Sequence, residues 1–412
     1  MSAGVDWPEA GDTVIGRLKH ELDTAVGATA DYGRSSGGKV LTDLLAHVER
    51  RLAGRRTRVA AVITGGTCDG AHVVATMLSR DGRIRAGDRC LAIGLSFPYY
   101  YELFTGLGLD YVECIDEQAL MPSTDEIVQT VETVRPRVIV LMLPHNPTGC
   151  LLAAADYARI IRAARSVGAV VFCDRVCMMT WDYTPDLMGA FHDATAAGDV
   201  FVFDSLAKSD SLAGLRVGYL LCAPDRAASV EREIRYRILN PIVFGTPTLV
   251  FARLATLGYA QRTPAGAFLA RLLSRYSDRF YRDYPVSFRD PFEATDVQGE
   301  VAAYNHEQDS LRRRIQTNFA QIEEVFGADV VKPLRLDGGF NVLLETGQMA
   351  AERECEHQIR LWTECAVAVL TERCFRASKV AKATYAVRLG LSLEPAEFRA
   401  GLDRLQGFYA QA

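Results

Sequence analysis

The chain has 412 residues, enough for two domains, and its 49% hydrophobic and 24% charged residues exclude disorder, a collagen-like repeat and a coiled coil. A net charge of −5 removes the field that non-specific nucleic-acid or anionic-membrane binding requires, so the expectation is small-molecule chemistry with no nucleic acid and no membrane as partner. Of 46 basic residues only Lys19, Lys39, Lys208, Lys332, Lys379 and Lys382 are lysines, so a lysine in an apolar setting stands out. No stretch approaches the roughly twenty apolar residues of a membrane span, and Asp6, Pro8, Glu9 and Asp12 break any signal-peptide pattern. The 10 cysteines form no C-x-x-C pair and the 7 histidines no H-E-x-x-H. A cytoplasmic protein without disulfides or a metal site is therefore expected.

In chain order, strands are expected at Val59–Thr64, Cys90–Gly94, Asp110–Cys114, Val138–Leu143, Ala169–Cys173, Val200–Phe203 and Arg216–Cys222. Between them Ala71–Ser79, Thr124–Val134 and Ala153–Ser166 carry helical periodicity. This alternation predicts an α/β fold with a mostly parallel sheet and ligands at the carboxyl ends of its strands. From residue 225 helices dominate (Asp225–Ile238, Pro247–Leu257, Ala265–Tyr281, Gln308–Val325), with an aperiodic loop expected over Tyr284–Asn305. Strands Phe340–Leu344 and Tyr385–Leu391 and a helix from Pro395 complete a smaller domain. The division is 1–40, an N-terminal segment joining the small domain; 41–300, the large domain, with an enlarged region at about 258–310; and 301–412, the small domain.

Four windows carry chemistry. Val62-Ile-Thr64-Gly65-Gly66-Thr67-Cys68 is a glycine turn leading into a helix, whose open amides suit a phosphate. Leu141-Met-Leu-Pro144-His145-Asn146-Pro147-Thr148-Gly149 breaks a strand into a turn, as Asn-Pro and Gly do in any loop. Val170-Val-Phe-Cys173-Asp174-Arg175-Val-Cys177 puts a carboxylate at a strand end, where it either caps a helix or serves a site. Ser205-Leu-Ala-Lys208, with Arg216 eight residues on, is either a solvated loop lysine or a desolvated amine able to attack an aldehyde, flanked by phosphate-binding groups.

In this order the windows resemble the class I/II aminotransferases, fold-type I enzymes dependent on pyridoxal 5′-phosphate, over residues 59–222; Tyr385-Ala-Val-Arg388 extends the likeness. The resemblance implies a large domain with a mixed, mostly parallel sheet, a smaller α/β domain, and a homodimer acting on an amino acid. It makes Lys208 the Schiff-base lysine and general base, and Asp174 the partner of the pyridine nitrogen. Asn146 becomes the donor to the ring's 3′-oxygen and a substrate contact, and Arg388 the holder of the substrate carboxylate. Gly66, Thr67, Cys68, Ser205 and Arg216 meet the phosphate, with Tyr32 reaching that of the neighbouring subunit. Phe97, from Ser96-Phe-Pro-Tyr-Tyr-Tyr101, stacks on the ring.

One departure matters. Where the family carries a tyrosine bonding the 3′-oxygen, this chain has Cys177, and a thiol is a poor donor. Transamination is the first expectation. Elimination, replacement or cyclisation, on substrates of the S-adenosylmethionine or modified-arginine type, is the alternative. A non-catalytic effector-sensing protein is a third, but residues 1–58 are too short and too mixed in charge for a winged-helix segment.

Overall fold

The computed structural model describes residues 10–24, 38–238, 245–261, 272, 292, 295–378 and 382–411. Two helices, α1 (Asp12–Thr24) and α2 (Lys39–Leu52), precede a run of strands and helices. The run is β1 (Ala60–Thr64), α3 (Thr67–Arg80), β2 (Arg89–Ile93), α4 (Pro98–Gly106), β3 (Asp110–Cys114), α5 (Thr124–Val134), β4 (Val138–Met142), α6 (Ala154–Ser166), β5 (Val170–Asp174), α7 (Pro185–Ala196), β6 (Val200–Ser205) and β7 (Gly218–Cys222). The strands form one sheet in the order β1-β7-β6-β5-β4-β2-β3. It is parallel from β6 to β3, and β7 runs antiparallel to both of its neighbours.

β4, β5, β6 and β7 are buried at every position, which is why they read as uninterrupted apolar runs rather than alternating ones. Apolar clusters cover both faces of the sheet, one around Leu91, Ile139 and Val171, the other around Val140, Phe172 and Phe203. The expected strands recur with shifted ends. The shift that matters is at Arg216, which lies in a left-handed turn (φ 54°) before β7 instead of opening the strand. Helix α3 starts at Thr67, earlier than the expected Ala71, so the glycine turn feeds directly into a helix N-terminus. Helix α4 hides in sequence behind three tyrosines and begins with Pro98 in its first turn, where the missing N–H costs nothing.

Helices α8 (Ala227–Ile238), α9 (Thr246–Gln261) and α10 (Val297–Phe326) follow. The loop expected over Tyr284–Asn305 is corrected at its end: Asp296 caps Gly299 N–H at 3.0 Å, and buried Val297, Val301 and Tyr304 recur at helical spacing. The helix expected at Ala265–Tyr281 lies outside the described residues apart from Leu272. Strands β8 (Asn341–Leu344), β9 (Leu370–Thr371) and β10 (Val387–Gly390) form a second, antiparallel sheet in the order β8-β10-β9. It shares a separate core with α11 (Glu354–Cys365) and α12 (Pro395–Gln411).

Helix α10 crosses between the cores, with Val301 and Tyr304 in the larger and Ile315, Ile322 and Phe326 in the smaller. Helix α1, expected with the small domain, instead places Val14 in the larger core, stacks Arg17 over Phe251 at 4.7 Å, and accepts Thr248 Oγ1–H at Glu21 at 2.8 Å. Among the described residues no helix is long and apolar enough to cross a membrane.

Candidate functional site

The chemistry-bearing side chains gather where the strands end. Asp174 is the last residue of β5 and is 3% exposed. Its Oδ1 accepts the Val176 N–H at 3.0 Å and its Oδ2 accepts the Tyr100 hydroxyl at 2.7 Å. Both bonds favour the carboxylate, yet burial wins and pushes the group up to about 6.

Beside it, the turn after β4 is pinned by a histidine. His145 Nε2 lies 2.7 Å from Leu95 O and Nδ1 2.6 Å from Thr148 Oγ1. Burial pushes the imidazole down to about 4, so the neutral ring donates from Nε2 to the carbonyl and accepts the threonine hydroxyl at Nδ1. Gly94, at φ 73°, is required there, because a Cβ would stand 2.4 Å from His145 Nε2. The pin fixes Asn146, whose Oδ1 accepts Arg388 Nη1–H at 3.0 Å. This bond joins the large domain to β10 and leaves the amide NH2 of Asn146 as a donor for another oxygen. Arg388 is 6% exposed and lies over the Phe375 ring at 5.1 Å. Burial lowers its pKa, and the thiols of Cys177 and Cys374 work against that.

Lys208 follows β6. Burial lowers its amine from the ordinary lysine value; Cys177 opposes this most, Arg388 reinforces it, and Asp174 and Cys68 oppose it. The amine is therefore within electrostatic reach of four candidates named from sequence, Asp174, Cys177, Arg388 and Cys68. Cys177 is buried in the smaller core, together with Met179 and Phe340. Its thiol is pushed up to about 12 by burial, against the pull of Lys208, and so stays protonated.

The glycine turn is the other half of the site. Gly66 has φ 102°, and a Cβ there would meet Arg216 Nη2 at 3.2 Å. Arg216 Nη2 donates to Gly65 O at 3.1 Å. Gly218 lets the turn close, since its Cβ would lie 2.8 Å from Gly66 Cα and 2.6 Å from Asp204 O. Register pairs Gly218 with Thr64 on one side and Ser205 on the other. Ser205, whose Oγ accepts Ala207 N–H at 3.2 Å, thus joins Gly66 and Arg216. Among the described residues no side chain caps α3, so the first-turn amides of Thr67 and Cys68 remain available as donors, an arrangement suited to an anion. Burial pushes the Cys68 thiol up to about 11, and the Cys68 carbonyl accepts the Tyr99 hydroxyl at 2.7 Å.

Phe97 precedes α4 and keeps 37% of its surface exposed, so it is not a core aromatic. Tyr32 lies outside the described residues. Two features escaped sequence reasoning. Tyr100 belongs to the recognised aromatic cluster, but only the phase of α4 turns it inward onto Asp174. A buried network of Glu49, Arg175, Asp204 and Arg253 lies around the foot of the Lys208 segment; its one sequence signal is Arg253, the sole charge in α9.

A family model described as aminotransferase class I and II matches residues 9–282. Among curated proteins, histidinol-phosphate aminotransferase of Methanosphaera stadtmanae is 29% identical over 174 residues, 42% of this chain and 44% of the relative. Threonine-phosphate decarboxylase of Sinorhizobium sp is 28% identical over 185 residues, 45% and 49% of the two chains. The chain thus spans under half the length of these relatives. A tetra mutant of Thermus thermophilus aspartate aminotransferase superposes with a TM-score of 0.70 at 17% identity, covering 99% of this chain and 95% of the other. N-succinyldiaminopimelate aminotransferase of Mycobacterium tuberculosis gives 0.72 at 18% identity, covering 99% and 93%. At such identities these structures establish the shared fold alone.

Proposed function

Because the family match covers well over half of it, the chain belongs to the class I and II aminotransferases, and on that premise we propose that it binds pyridoxal 5′-phosphate at Lys208 and transfers the amino group of an amino acid. What supports the reading is that Arg388 and Asp174 are among the groups acting electrostatically on the buried Lys208 amine, and that Arg388 Nη1–H donates to Asn146 Oδ1 at 3.0 Å. The residues fit the cofactor. Gly66 sits at φ 102°, a conformation that suits only glycine, so the turn stays without a side chain, and a Cβ there would also press on Arg216 Nη2 at 3.2 Å. Thr67 and Cys68 amides, Ser205 and Arg216 supply its donors. Asp174 holds a buried carboxylate for the protonated ring nitrogen, and Asn146 offers its NH2 to the ring oxygen.

When bound, the cofactor supplies an electron-accepting ring for the pair left at the substrate's α-carbon. Arg388, buried and oriented by Asn146 and Phe375, grips the substrate carboxylate bidentately. Lys208, its amine pKa lowered by burial, would take the substrate's α-proton at Nζ. Asp174, drawn to its ionised form by a cationic partner, keeps the ring nitrogen protonated. Cytoplasmic homodimers with Tyr32 crossing to the partner's phosphate belong to the same proposal; ten free thiols suit a reducing compartment.

A second reading keeps the cofactor and changes the outcome. Its support is Cys177 at the position where a hydroxyl donor is expected, and a relative named as a decarboxylase. The test is a spectral screen of purified protein with pyridoxal phosphate against an amino-acid panel, with mass analysis of products. A keto acid and aminated cofactor support transamination. Carbon dioxide or a β- or γ-leaving group supports the second reading, and no spectral response to any amino acid contradicts both.

A further inference from the structure

The segment that carries Lys208 has few main-chain bonds of its own: Leu212 N–H to Leu206 O at 3.1 Å and Ser211 N–H to Lys208 O at 3.4 Å. Its shape depends on what holds its ends. At the upstream end Asp204, 1% exposed, accepts Ser205 N–H at 2.7 Å through Oδ1. Its Oδ2 accepts Arg175 Nε–H at 2.8 Å and the Tyr183 hydroxyl at 2.7 Å. Downstream, Asp210 is 4% exposed and accepts Ser209 Oγ–H at 2.5 Å and the Tyr304 hydroxyl at 2.9 Å.

One buried cation holds the upstream end. Arg253 is 0% exposed. Its Nη2 donates to Asp204 Oδ1 at 3.2 Å and to Ser205 O at 3.4 Å, and its charge is the largest force opposing the burial-driven rise of the Asp210 pKa. Its guanidinium lies 5.3 Å from the Tyr183 ring centroid.

The charge of Arg253 is held by Asp204, Tyr183, Tyr219 and Asp210, which together outweigh its burial. Among the described residues Nε and Nη1 of Arg253 make no hydrogen bond, so part of the cost of burying the guanidinium goes unmatched. Packed apolar side chains commonly replace such buried ion pairs with no loss of stability, or with a gain.

We infer that Arg253 is a positioning residue, a staple that anchors the start of the Ser205–Asp210 segment and thereby places Lys208. The inference rests on the reading of Lys208 as the cofactor-bearing lysine. By donating to Asp204 Oδ1 and the Ser205 carbonyl it holds the segment's start, while Asp210 at the far end is held by Ser209 and Tyr304. Ser205, a phosphate ligand in the proposed site, and Lys208 are thereby held as one unit. Misplacing a reacting group by an ångström is worth on the order of a hundredfold in rate, so the staple acts on turnover more than on substrate affinity.

The test compares Arg253→Met, Arg253→Lys and the double variant Arg253→Met/Asp210→Asn, which leaves no unpaired buried charge at Asp210. Full-length protein freed of cofactor is reductively methylated with formaldehyde and cyanoborohydride across pH, and peptide masses give the labelling midpoint of Lys208 against exposed Lys39. In wild type the Lys208 midpoint lies below that of Lys39. In both methionine variants it moves up toward Lys39 as the amine leaves the cleft, while Arg253→Lys stays close to wild type. With pyridoxal phosphate loaded, turnover falls by about a hundredfold in the methionine variants and KM changes little. A folded double variant with the wild-type midpoint and turnover overturns the inference. If wild type fails to bind pyridoxal phosphate at Lys208 but the midpoints still shift, the cofactor reading fails and the staple stands.

Discussion

Tyr100 is the sharpest lever on the site, because it changes one hydrogen bond to one buried carboxylate. Its hydroxyl donates to Asp174 Oδ2 at 2.7 Å in a fully buried setting. A hydrogen bond to a charged group contributes about 1.5–3 kcal/mol, which at 1.36 kcal/mol per unit corresponds to roughly one to two pKa units. Asp174 already stands at about 6 through burial, with the Tyr100 bond working against that rise. Tyr100→Phe therefore lifts it to about 7–8. If the ring nitrogen requires an ionised partner, the ionised fraction near pH 6.5 drops about eightfold for a shift of ~1.5 units, and cofactor affinity drops with it. Near pH 8.5 the two proteins converge.

The assay is a pyridoxal phosphate titration at both pH values, together with the carboxyl carbon shift of labelled aspartate in the apoprotein against pH. Equal losses of affinity at both pH values, or an unmoved Asp174 midpoint, would refute the electrostatic reasoning and reduce Tyr100 to packing.

Three further outcomes follow from the geometry. Arg388→Ala weakens amino-acid binding by on the order of a hundredfold, since it removes a charged contact made before and after the chemistry; spectral titration with a responsive amino acid measures it, and unchanged affinity makes the Arg388–Asn146 bond purely structural. Cys177→Tyr supplies a hydroxyl donor near Lys208 and lowers the pH midpoint of the cofactor–lysine absorbance, because the ring oxygen leans less on the protonated nitrogen; identical midpoints in folded, loaded samples remove Cys177 from the cofactor's surroundings. Asp182 is held at about 7 by burial while accepting Met179 and Gly339 N–H groups. A carboxylate raised in the folded state stabilises below its unfolded pKa and loses that contribution as pH rises to the folded value, here from about 4 to about 7, worth up to ~4 kcal/mol. Asp182→Asn flattens that slope in urea unfolding of the apoprotein, and an unchanged slope contradicts the assignment.

The central strands were legible because β4 to β7 are buried at every position and so spell uninterrupted apolar runs; β5 and β6 end on Asp174 and Ser205, and Pro144 follows β4. Lys208 was legible by scarcity, in a chain with so few lysines. What sequence hid depends on phase and on distant pairing. Tyr99, Tyr100 and Tyr101 are equivalent on paper, and only the start of α4 at Pro98 turns Tyr100 into the core while leaving Tyr101 39% exposed. Arg253 has counter-ions more than forty residues away, Asp204 and Asp210, which no local pattern links to it. Gly299 and Glu300 look like loop residues, yet the Asp296 cap makes them the first turn of α10.

The most direct measurement is borohydride reduction of the purified, pyridoxal phosphate-loaded protein followed by peptide mapping. The account predicts a yellow protein whose colour is lost on reduction and a single pyridoxyl group on Lys208. A pyridoxyl group on Lys19, Lys39, Lys332, Lys379 or Lys382, or none on any lysine, would contradict it.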